Sequence, residues 1–344
     1  MRTATARRTP GWVWAISAVA VLVTITLGVC VGAVYITPAN VWAALLGQFA
    51  TGIPGISETQ ETIIWQLRLP RVLLAFVVGS MLASAGCAYQ GTFQNPLADP
   101  YLLGVSAGAG LGATLIIVSS SVTKNFYLPV AAFVGAMAAV SLTYFLGRSA
   151  ISGRSSTALI LAGVAVASVL TALQTLIQQQ NTDVLREVYS WILGRLSTSG
   201  WSELLVIAPY ILICSYVLLC YRRVLDVFSV GDEEAQTMGL PVSKARGAII
   251  VAASLGTAAA VSVSGLIGFV GIIVPHILRL ISGNSYRTLL PLSMIYGGVF
   301  LVLADILART VLAPQEISIG VITALLGAPF FLFVLGSSKS GSIS

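Results

Sequence analysis

Residue types that bind metal ions or act as nucleophiles are few in this sequence and widely separated. His276 is the only histidine, and all four cysteines fall inside apolar stretches without metal-ligand spacing: Cys30, Cys87, Cys214 and Cys220. Zinc and haem sites need several such ligands at defined positions. We therefore expect this chain to bind no metal and no cofactor, and we interpret the cysteines as small apolar packing residues.

Motifs for nucleotide hydrolysis and other enzyme chemistry are also missing. A phosphate-binding loop needs the pattern G-x-x-x-x-G-K-[ST]. Of the three lysines only Lys339 precedes a serine, and Ser338 occupies the position of the required glycine. The sequence has no H-E-x-x-H motif, no Ser/His/Asp set and no carboxylate cluster. The chain is therefore not expected to be an enzyme, and its energy must come from a partner chain or an ion gradient.

One carboxylate, that of Asp305, lies within a long apolar stretch. Ionisable residues inside a membrane often mark ion pathways, which would suit a secondary transporter driven by protons or sodium. Arg309 follows four residues later, so the two side chains could instead form a pair on one helix face. Both interpretations are open from the sequence.

Long apolar stretches dominate the chain. Hydrophobic residues make up 57% of the 344 positions and charged residues 9%, which is too little charge for the surface of a soluble domain. A helix needs about 20 apolar residues to cross a membrane. The sequence therefore predicts an all-α polytopic membrane protein, one domain over 1–344, with about ten spans. These come from the uncharged blocks 12–34, 72–98, 100–123, 125–147, 155–182, 204–221, 247–278 (divided at 262–265), 289–304 and 317–335.

The distribution of basic residues predicts the orientation. The first block is too long for a cleaved signal peptide, and nine more spans follow it. If the spans alternate from a cytoplasmic N-terminus, 12 of the 18 Lys and Arg residues face the cytoplasm, in line with the positive-inside bias. We expect both termini in the cytoplasm, as a tail at 1–10 and a flexible tail at 337–344. The net charge of +6 then indicates contact with membrane lipid and not with nucleic acid.

The largest loop on the predicted cytoplasmic side, 222–246, contains the signals of a short helix. Asp232 is predicted as its N-cap, Gly239 suits the C-terminal cap, and Pro241 prevents continuation. The pattern predicts about two turns, and a solvated loop is the alternative. Such a helix would present three side chains to a partner: Val230, Ala235 and Met238.

Prolines interrupt the chain between the second and third predicted spans, within 90–104. Asn95, Pro96 and Pro100 are unfavourable in a continuous helix. Non-helical backbone at membrane depth is tolerated only where protein or a water-filled cavity satisfies its polar groups. The segment is therefore either a constriction of a transport pathway or an ordinary turn between helices.

Polar residues on the predicted outer side form two sets. The first set consists of Arg68, Arg71 and Arg309, whose predicted outer position runs against the positive-inside bias. These arginines either anchor helix ends in the membrane interface or bind acidic residues of an external partner. The second set shares one face near the outer end of the fifth span and either lines a pathway or marks the helix end: Gln174, Gln178 and Asn181.

Five runs of the sequence resemble the FecCD-type permeases. They are RLPRVLLAFVVGSMLASAGCAYQ, QNPLADPYLLGVSAGA, GDEEAQTMGLPV, GLIGFVGIIVPHILRL and LADILARTVLAPQEISIGVITALLGAPFF. Members of this family are membrane subunits of ATP-binding-cassette (ABC) importers for iron-siderophores, haem and cobalamin. The likeness extends from about Arg68 to the C-terminus. Family members often carry arginine at the position of Gln94, so this chain lacks one charge there.

The resemblance implies the type II ABC importer permease fold and a place in the cytoplasmic (inner) membrane of the cell. It also implies a second permease subunit, identical or a close paralogue, together with two cytoplasmic ATPase subunits that bind ATP and magnesium. An external substrate-binding protein completes the expected assembly. The expected cargo is a ferric siderophore, because that cargo is common in the family, with haem or cobalamin as alternatives.

The resemblance assigns roles to three groups of residues. The helix that couples to the ATPase corresponds to Asp232, Glu233, Glu234, Ala235, Met238 and Gly239. The cytoplasmic gate corresponds to Asn95, Leu97, Ser155, Ser156 and Thr157. The residues that pair with glutamates of the binding protein correspond to Arg68, Arg71 and Arg309.

Overall fold

The computed structural model describes residues 10–32, 34–47, 57–119, 124–149, 156–197 and 200–339. Ser155, residues 1–9 of the predicted tail at 1–10 and residues 340–344 of the predicted tail at 337–344 lie outside these ranges. The predicted flexible tail is wrong for 337–339, which belong to the last helix, Ile319–Lys339. Regular structure in the described ranges is entirely helical. In chain order the α-helices are α1 (Gly11–Cys30), α2 (Pro38–Gly47), α3 (Glu58–Thr62), α4 (Leu69–Thr92), α5 (Val105–Ser119), α6 (Lys124–Ser149), α7 (Ser156–Gln180), α8 (Leu185–Ile192), α9 (Ser202–Phe228), α10 (Asp232–Thr237), α11 (Val242–Ser264), α12 (Val270–Ser282), α13 (Tyr286–Thr310) and α14 (Ile319–Lys339).

Seven helices in the described part of the chain are long and apolar enough to cross a membrane. They are α1, α9, α11, α13, most of α6 and α7, and a continuous helix in which the π-helical turn Ile63–Arg68 joins α3 to α4. Three shorter apolar helices, α5, α12 and the first part of α14, accompany them. Each of the ten predicted spans coincides with one of these apolar helices, and seven of the ten have the length of a span. The predicted division of block 247–278 is confirmed, since α11 ends at Ser264 and α12 begins at Val270.

Small residues let the central helices approach each other closely. A Cβ on Gly79 of α4 would lie 2.3 Å from the carbonyl oxygen of Gly297 in α13, and a Cβ on Gly108 of α5 would lie 2.2 Å from that of Gly135 in α6. Helices meet at such distances where glycine removes the side chain between them. Helices α4 and α11 consequently lie at the centre of the bundle, whereas α1, α7 and α9 expose large apolar side chains at its periphery.

The bundle has two distinct ends. Helix α10 lies between α9 and α11 at one end, which we call the α10 end. The C-terminal ends of α1 and α13 meet at the other, because Arg309 of α13 donates hydrogen bonds to carbonyls at the end of α1. We call this the Asp305 end, after the carboxylate buried there.

Candidate functional site

Helix α10 is closed at its C-terminus by a Schellman motif. The N–H of Leu240 bonds to the carbonyl of Ala235 at 3.2 Å, and the N–H of Gly239 bonds to that of Gln236 at 2.9 Å. Gly239 has φ +79°, the left-handed conformation that this motif requires and that glycine adopts at little cost. The predicted capping role of Gly239 is therefore confirmed.

The N-terminus of α10 differs from the prediction. Gly231, with φ +134°, is the N-cap, and Asp232 is the first helical residue. The Asp232 carboxylate accepts two hydrogen bonds from Nη2 of Arg246 in α11, at 2.6 and 2.8 Å. The Arg246 guanidinium also lies 5.5 Å from the ring centre of Phe228, the last residue of α9. The carboxylate that was predicted to cap α10 instead attaches it to Arg246 of α11, and the contact with α9 is made by Arg246.

The exposed surface of α10 offers charge and two apolar side chains to a partner. Glu233 and Glu234 are exposed, and Met238 and Val230 are 65% and 58% exposed. Ala235 is fully buried, because it faces the chain's own helices. The expectation that Ala235 is presented to a partner is therefore wrong. The coupling role of α10 stays a prediction.

The segment 93–104 leaves helical geometry in two side-chain-stabilised turns. Oδ1 of Asn95 accepts the N–H of Leu97 at 2.9 Å, and Oδ1 of Asp99 accepts the N–H of Tyr101 at 2.8 Å. Asn and Asp commonly satisfy turns in this way. The predicted interruption of the helix is confirmed, and many of its backbone N–H groups bond to oxygens of the protein itself.

The hydroxyl of Tyr101 joins this segment to a second irregular one, 265–269. It donates to the carbonyl of Ile267 at 3.0 Å and accepts the N–H of the same residue at 3.1 Å. Pro100 packs beside Gly271, where an added Cβ would lie 2.6 Å from the proline Cδ. Tyr101 was not among the predicted site residues, because nothing in its local pattern shows that it bonds to Ile267, 166 residues away.

A third irregular segment, 193–197, meets the same region. The N–H of Arg195 bonds to the carbonyl of Ser264 at 2.8 Å, and the N–H of Gly320 bonds to that of Leu193 at 2.9 Å. The short helices α5, α12 and α14 each begin next to one of these contacts. Backbone groups that leave the helices therefore bond to one another, as hydrocarbon surroundings require.

The residues predicted as a gate are distributed over two elements. Asn95 is partly buried and Leu97 is 49% exposed, both in segment 93–104. Ser156 begins α7, and Thr157 follows in an exposed position. The two elements touch at Gly163, where a Cβ would lie 2.2 Å from the carbonyl oxygen of Leu102. The gating role of Asn95, Leu97, Ser156 and Thr157 stays a prediction.

Two of the three outer arginines hold the end of α1. Nη1 of Arg68 donates to the carbonyls of Val29 and Cys30 at 2.7 and 3.0 Å, and its Nη2 donates to that of Val34. Arg309 donates to the carbonyls of Gly28 and Val31, each at 3.1 Å. Both arginines are only 8% exposed. They supply donors to carbonyls that the end of a helix leaves unsatisfied.

Asp305 is the centre of a charge cluster at the same end. Its Oδ1 accepts Nη2 of Arg71 at 2.9 Å, and its Oδ2 lies 3.0 Å from Nε of Arg309. Arg71 also binds Glu316, with both contacts at 2.9 Å. The possible pair of Asp305 with Arg309 is therefore present. Glu316, whose side chain is 51% exposed, was missed by the sequence analysis. Docking of a binding protein by the arginines stays a prediction.

The predicted pathway amides lie in two environments, a buried face of α7 and the end of that helix. Gln174 is buried and donates to Oγ1 of Thr114 in α5 at 3.2 Å, and Gln178 lies on the same buried face of α7. Asn181 donates to the carbonyl of Ile177 at 2.8 Å, at the end of α7. Within one chain, Gln174 thus packs between helices. The pathway-lining role of the three amides stays a prediction.

Seven helices of membrane-spanning length and three shorter apolar ones, in the part of the chain that the structure describes, are the architecture of a multi-pass membrane protein. The FecCD transport family model matches residues 20–337. The ABC transporter permease YvrB of Bacillus subtilis is 41% identical over 326 residues, 94% of this chain and 92% of that one. The cobalamin import permease BtuC of Halobacterium salinarum is 42% identical over 296 residues, 86% of this chain and 79% of that one.

Further relatives, from Bacillus subtilis and Yersinia pestis, are named as permeases for Fe(3+)-citrate and hemin. A solved ABC transporter assigned to the metal-chelate type, in an inward-facing conformation, aligns with a TM-score of 0.83 and 29% identity. The alignment covers 95% of this chain and 100% of that one. This chain belongs to the FecCD transport family and is an ABC importer permease.

The left-handed cap of α10 provides a test of its coupling role. A Cβ at Gly239 would meet nothing within 4 Å, so Gly239→Val is opposed by backbone strain and not by a clash. We expect Gly239→Val to reduce ATP-driven uptake severalfold while membrane insertion is unchanged. Gly239→Asn is the control and should retain uptake, because asparagine tolerates this conformation. Wild-type uptake and wild-type copurification with the ATPase in Gly239→Val would contradict the coupling role.

The bonds of Arg68 to α1 predict a stability effect. Arg68→Leu leaves the carbonyls of Val29 and Val34 without this donor, whereas that of Cys30 keeps the N–H of Ile36. The unfolding free energy should therefore fall by about 2–4 kcal/mol. Thermal unfolding in detergent measures this, with Arg186→Leu as a control because Arg186 is exposed on α8. The opposite pattern, unchanged stability with weakened affinity for the binding protein, would show that Arg68 serves docking.

Proposed function

We propose that the cargo of this permease is a ferric siderophore, an iron chelate whose metal is already fully coordinated when it enters. Transport of such a complex requires a pathway that contacts the organic shell, and it requires no metal ligands from the protein. The sequence fits this requirement, since its one histidine, His276, packs edge-on against Phe330 at 5.8 Å between ring centres.

The observation that carries this proposal is a cavity at the α10 end with several polar side chains in its lining. It has a volume of about 290 Å³, and its lining includes Gln90, Gln94, Arg279, Asn284 and Tyr286. Nη2 of Arg279 donates to Oε1 of Gln90 at 2.7 Å. Amides and a guanidinium are suited to the oxygen-rich, often anionic surface of a ferric siderophore.

The alternatives differ in what the pathway must offer. Haem iron binds axial histidine, cysteine, methionine or tyrosine ligands, and of these types the cavity is lined by Tyr286 alone. Cobalamin is larger and remains the second candidate, supported by the cobalamin relative at 42% identity. An ion-coupled mechanism through Asp305 is disfavoured, because that carboxylate lies between Arg71 and Arg309.

The proposed assembly follows the ABC importer class. Two permease subunits would form the pathway, and two cytoplasmic ATPases that bind ATP and magnesium would contact α10 on each subunit. An external binding protein would deliver the chelate at the Asp305 end. This arrangement places the chain in the cytoplasmic membrane with both termini inside, which agrees with the bias of 12 against 6 basic residues.

Uptake competition tests the cargo. The complete importer in proteoliposomes should accumulate radioiron-labelled siderophore, and unlabelled ferric siderophore should compete more strongly than ferric citrate, haem or cobalamin. Arg279→Met should raise the KM for an anionic chelate more than it lowers kcat, because the guanidinium contributes to binding. Arg223→Met is the control, because Arg223 is exposed on α9.

Two results would contradict the siderophore assignment. The first is uptake that cobalamin or haem blocks at lower concentration than any ferric siderophore. The second is an Arg279→Met variant whose KM is unchanged for chelates of every charge.

A further inference from the structure

Gln94 connects the irregular segment 93–104 to the end of α9. Its Nε2 donates a hydrogen bond to the carbonyl of Phe228, the last residue of that helix. The last carbonyls of an α-helix have no partner within the helix. The Gln94 amide supplies the hydrogen-bond donor that the carbonyl of Phe228 would otherwise lack. The contact joins residues 134 positions apart in the chain.

The backbone of Gln94 is held in an unfavourable conformation. Its φ is +51°, a region that residues other than glycine rarely adopt and that persists only where surrounding contacts impose it. The next residue is bound as well, since the N–H of Asn95 bonds to the carbonyl of Gln90 at 3.1 Å. Two hydrogen bonds therefore hold Gln94, although the residue is exposed.

From Phe228 the contacts continue to α10. Phe228 is fully buried, with its ring 5.5 Å from the guanidinium carbon of Arg246. Arg246 is 8% exposed and binds both carboxylate oxygens of Asp232, the first residue of α10. Four residues, Asp232, Arg246, Phe228 and Gln94, thus form a continuous path from α10 to segment 93–104.

The same end of α9 is fixed to α13. Asp226 accepts the N–H of Tyr286 at 2.5 Å and the hydroxyl of Ser285 at 3.0 Å. Together with the contacts of Arg246, these bonds join three elements into one packed unit: the end of α9, the start of α13, and helix α10. Gln94 extends from segment 93–104 to that unit, one residue before Asn95 and three before Leu97.

We propose that Gln94 is the positioning residue through which a displacement of α10 reaches segment 93–104. This inference rests on the proposed function, in which an ATPase moves α10 and the segment controls the inner opening. The side chain acts as a neutral hydrogen-bond donor, so a residue that keeps a donor of sufficient length can replace it. A residue of similar size without a donor cannot.

Cysteine reactivity in the assembled importer tests the proposal. Leu97→Cys reports on the segment and Met238→Cys on α10, in a background without the four native cysteines. Both sites are exposed. We expect nucleotide binding to the ATPase to change thiol reactivity at both sites. Gln94→Met should weaken the response at Leu97→Cys about fivefold, the factor associated with one hydrogen bond, and leave the response at Met238→Cys intact.

Two further variants make the test specific. Gln94→Arg keeps a hydrogen-bond donor and should preserve the response at Leu97→Cys. Gln66→Met makes the same chemical change at an exposed site near the Asp305 end, and it should have no effect. Gln94→Met should also raise the number of ATP molecules hydrolysed per chelate transported. If Gln94 had only a structural role, Gln94→Met would lower ATP hydrolysis and chelate transport together, and their ratio would not change.

The possible failures are distinguishable. If Leu97→Cys responds to nucleotide equally in wild type and Gln94→Met, and the ATP consumed per chelate is unchanged, the role of Gln94 is overturned while the proposed function stands. If Leu97→Cys does not respond in the wild-type protein although Met238→Cys does, segment 93–104 is not moved by the ATPase. That result overturns both the gate and the role of Gln94.

Discussion

Backbone polar groups within hydrocarbon must find partners inside the protein, and this structure depends on how its irregular segments meet that requirement. The Tyr101 hydroxyl satisfies both backbone groups of Ile267, and the contacts of Arg195 with Ser264 and of Gly320 with Leu193 complete the arrangement. Because these bonds exist, three apolar helices can begin part-way through the bundle. A transport pathway needs irregular segments of this kind, because a packed set of unbroken helices has no element that can rearrange locally.

The Asp305 end is organised by a different requirement, the neutralisation of buried charge. Asp305 is fully buried and is compensated by Arg71 and Arg309, while Arg309 and Arg68 also bind the end of α1. Removing one member of such a cluster leaves an uncompensated charge or an orphaned carbonyl, which costs several kcal/mol. The cluster therefore attaches a peripheral helix to the core. In the proposed importer this end stays rigid while the α10 end responds to the ATPase.

Local patterns in the sequence predicted the features that depend on neighbouring residues, namely helices and helix caps. Uncharged blocks gave the ten apolar helices, and the Gly-Leu-Pro run gave the cap at Gly239. Long-range partners left no local signal. Asp232 has the composition of an N-cap, but Arg246 on the next helix binds its carboxylate instead. Arg68 suits a docking residue by position, yet its partners are carbonyls more than 30 residues earlier in the chain. Tertiary contacts of this kind become visible only when the fold is known.

The central claim is that this permease moves its chelate by the action of an ATPase on α10 and not by an ion gradient. The most direct measurement is uptake of labelled chelate into proteoliposomes that contain the complete importer, with a hydrolysis-deficient ATPase as the comparison. Uptake should require ATP and the active ATPase, and it should be unchanged when proton and sodium gradients are dissipated. Uptake that follows an imposed ion gradient and continues with the hydrolysis-deficient ATPase would contradict the account.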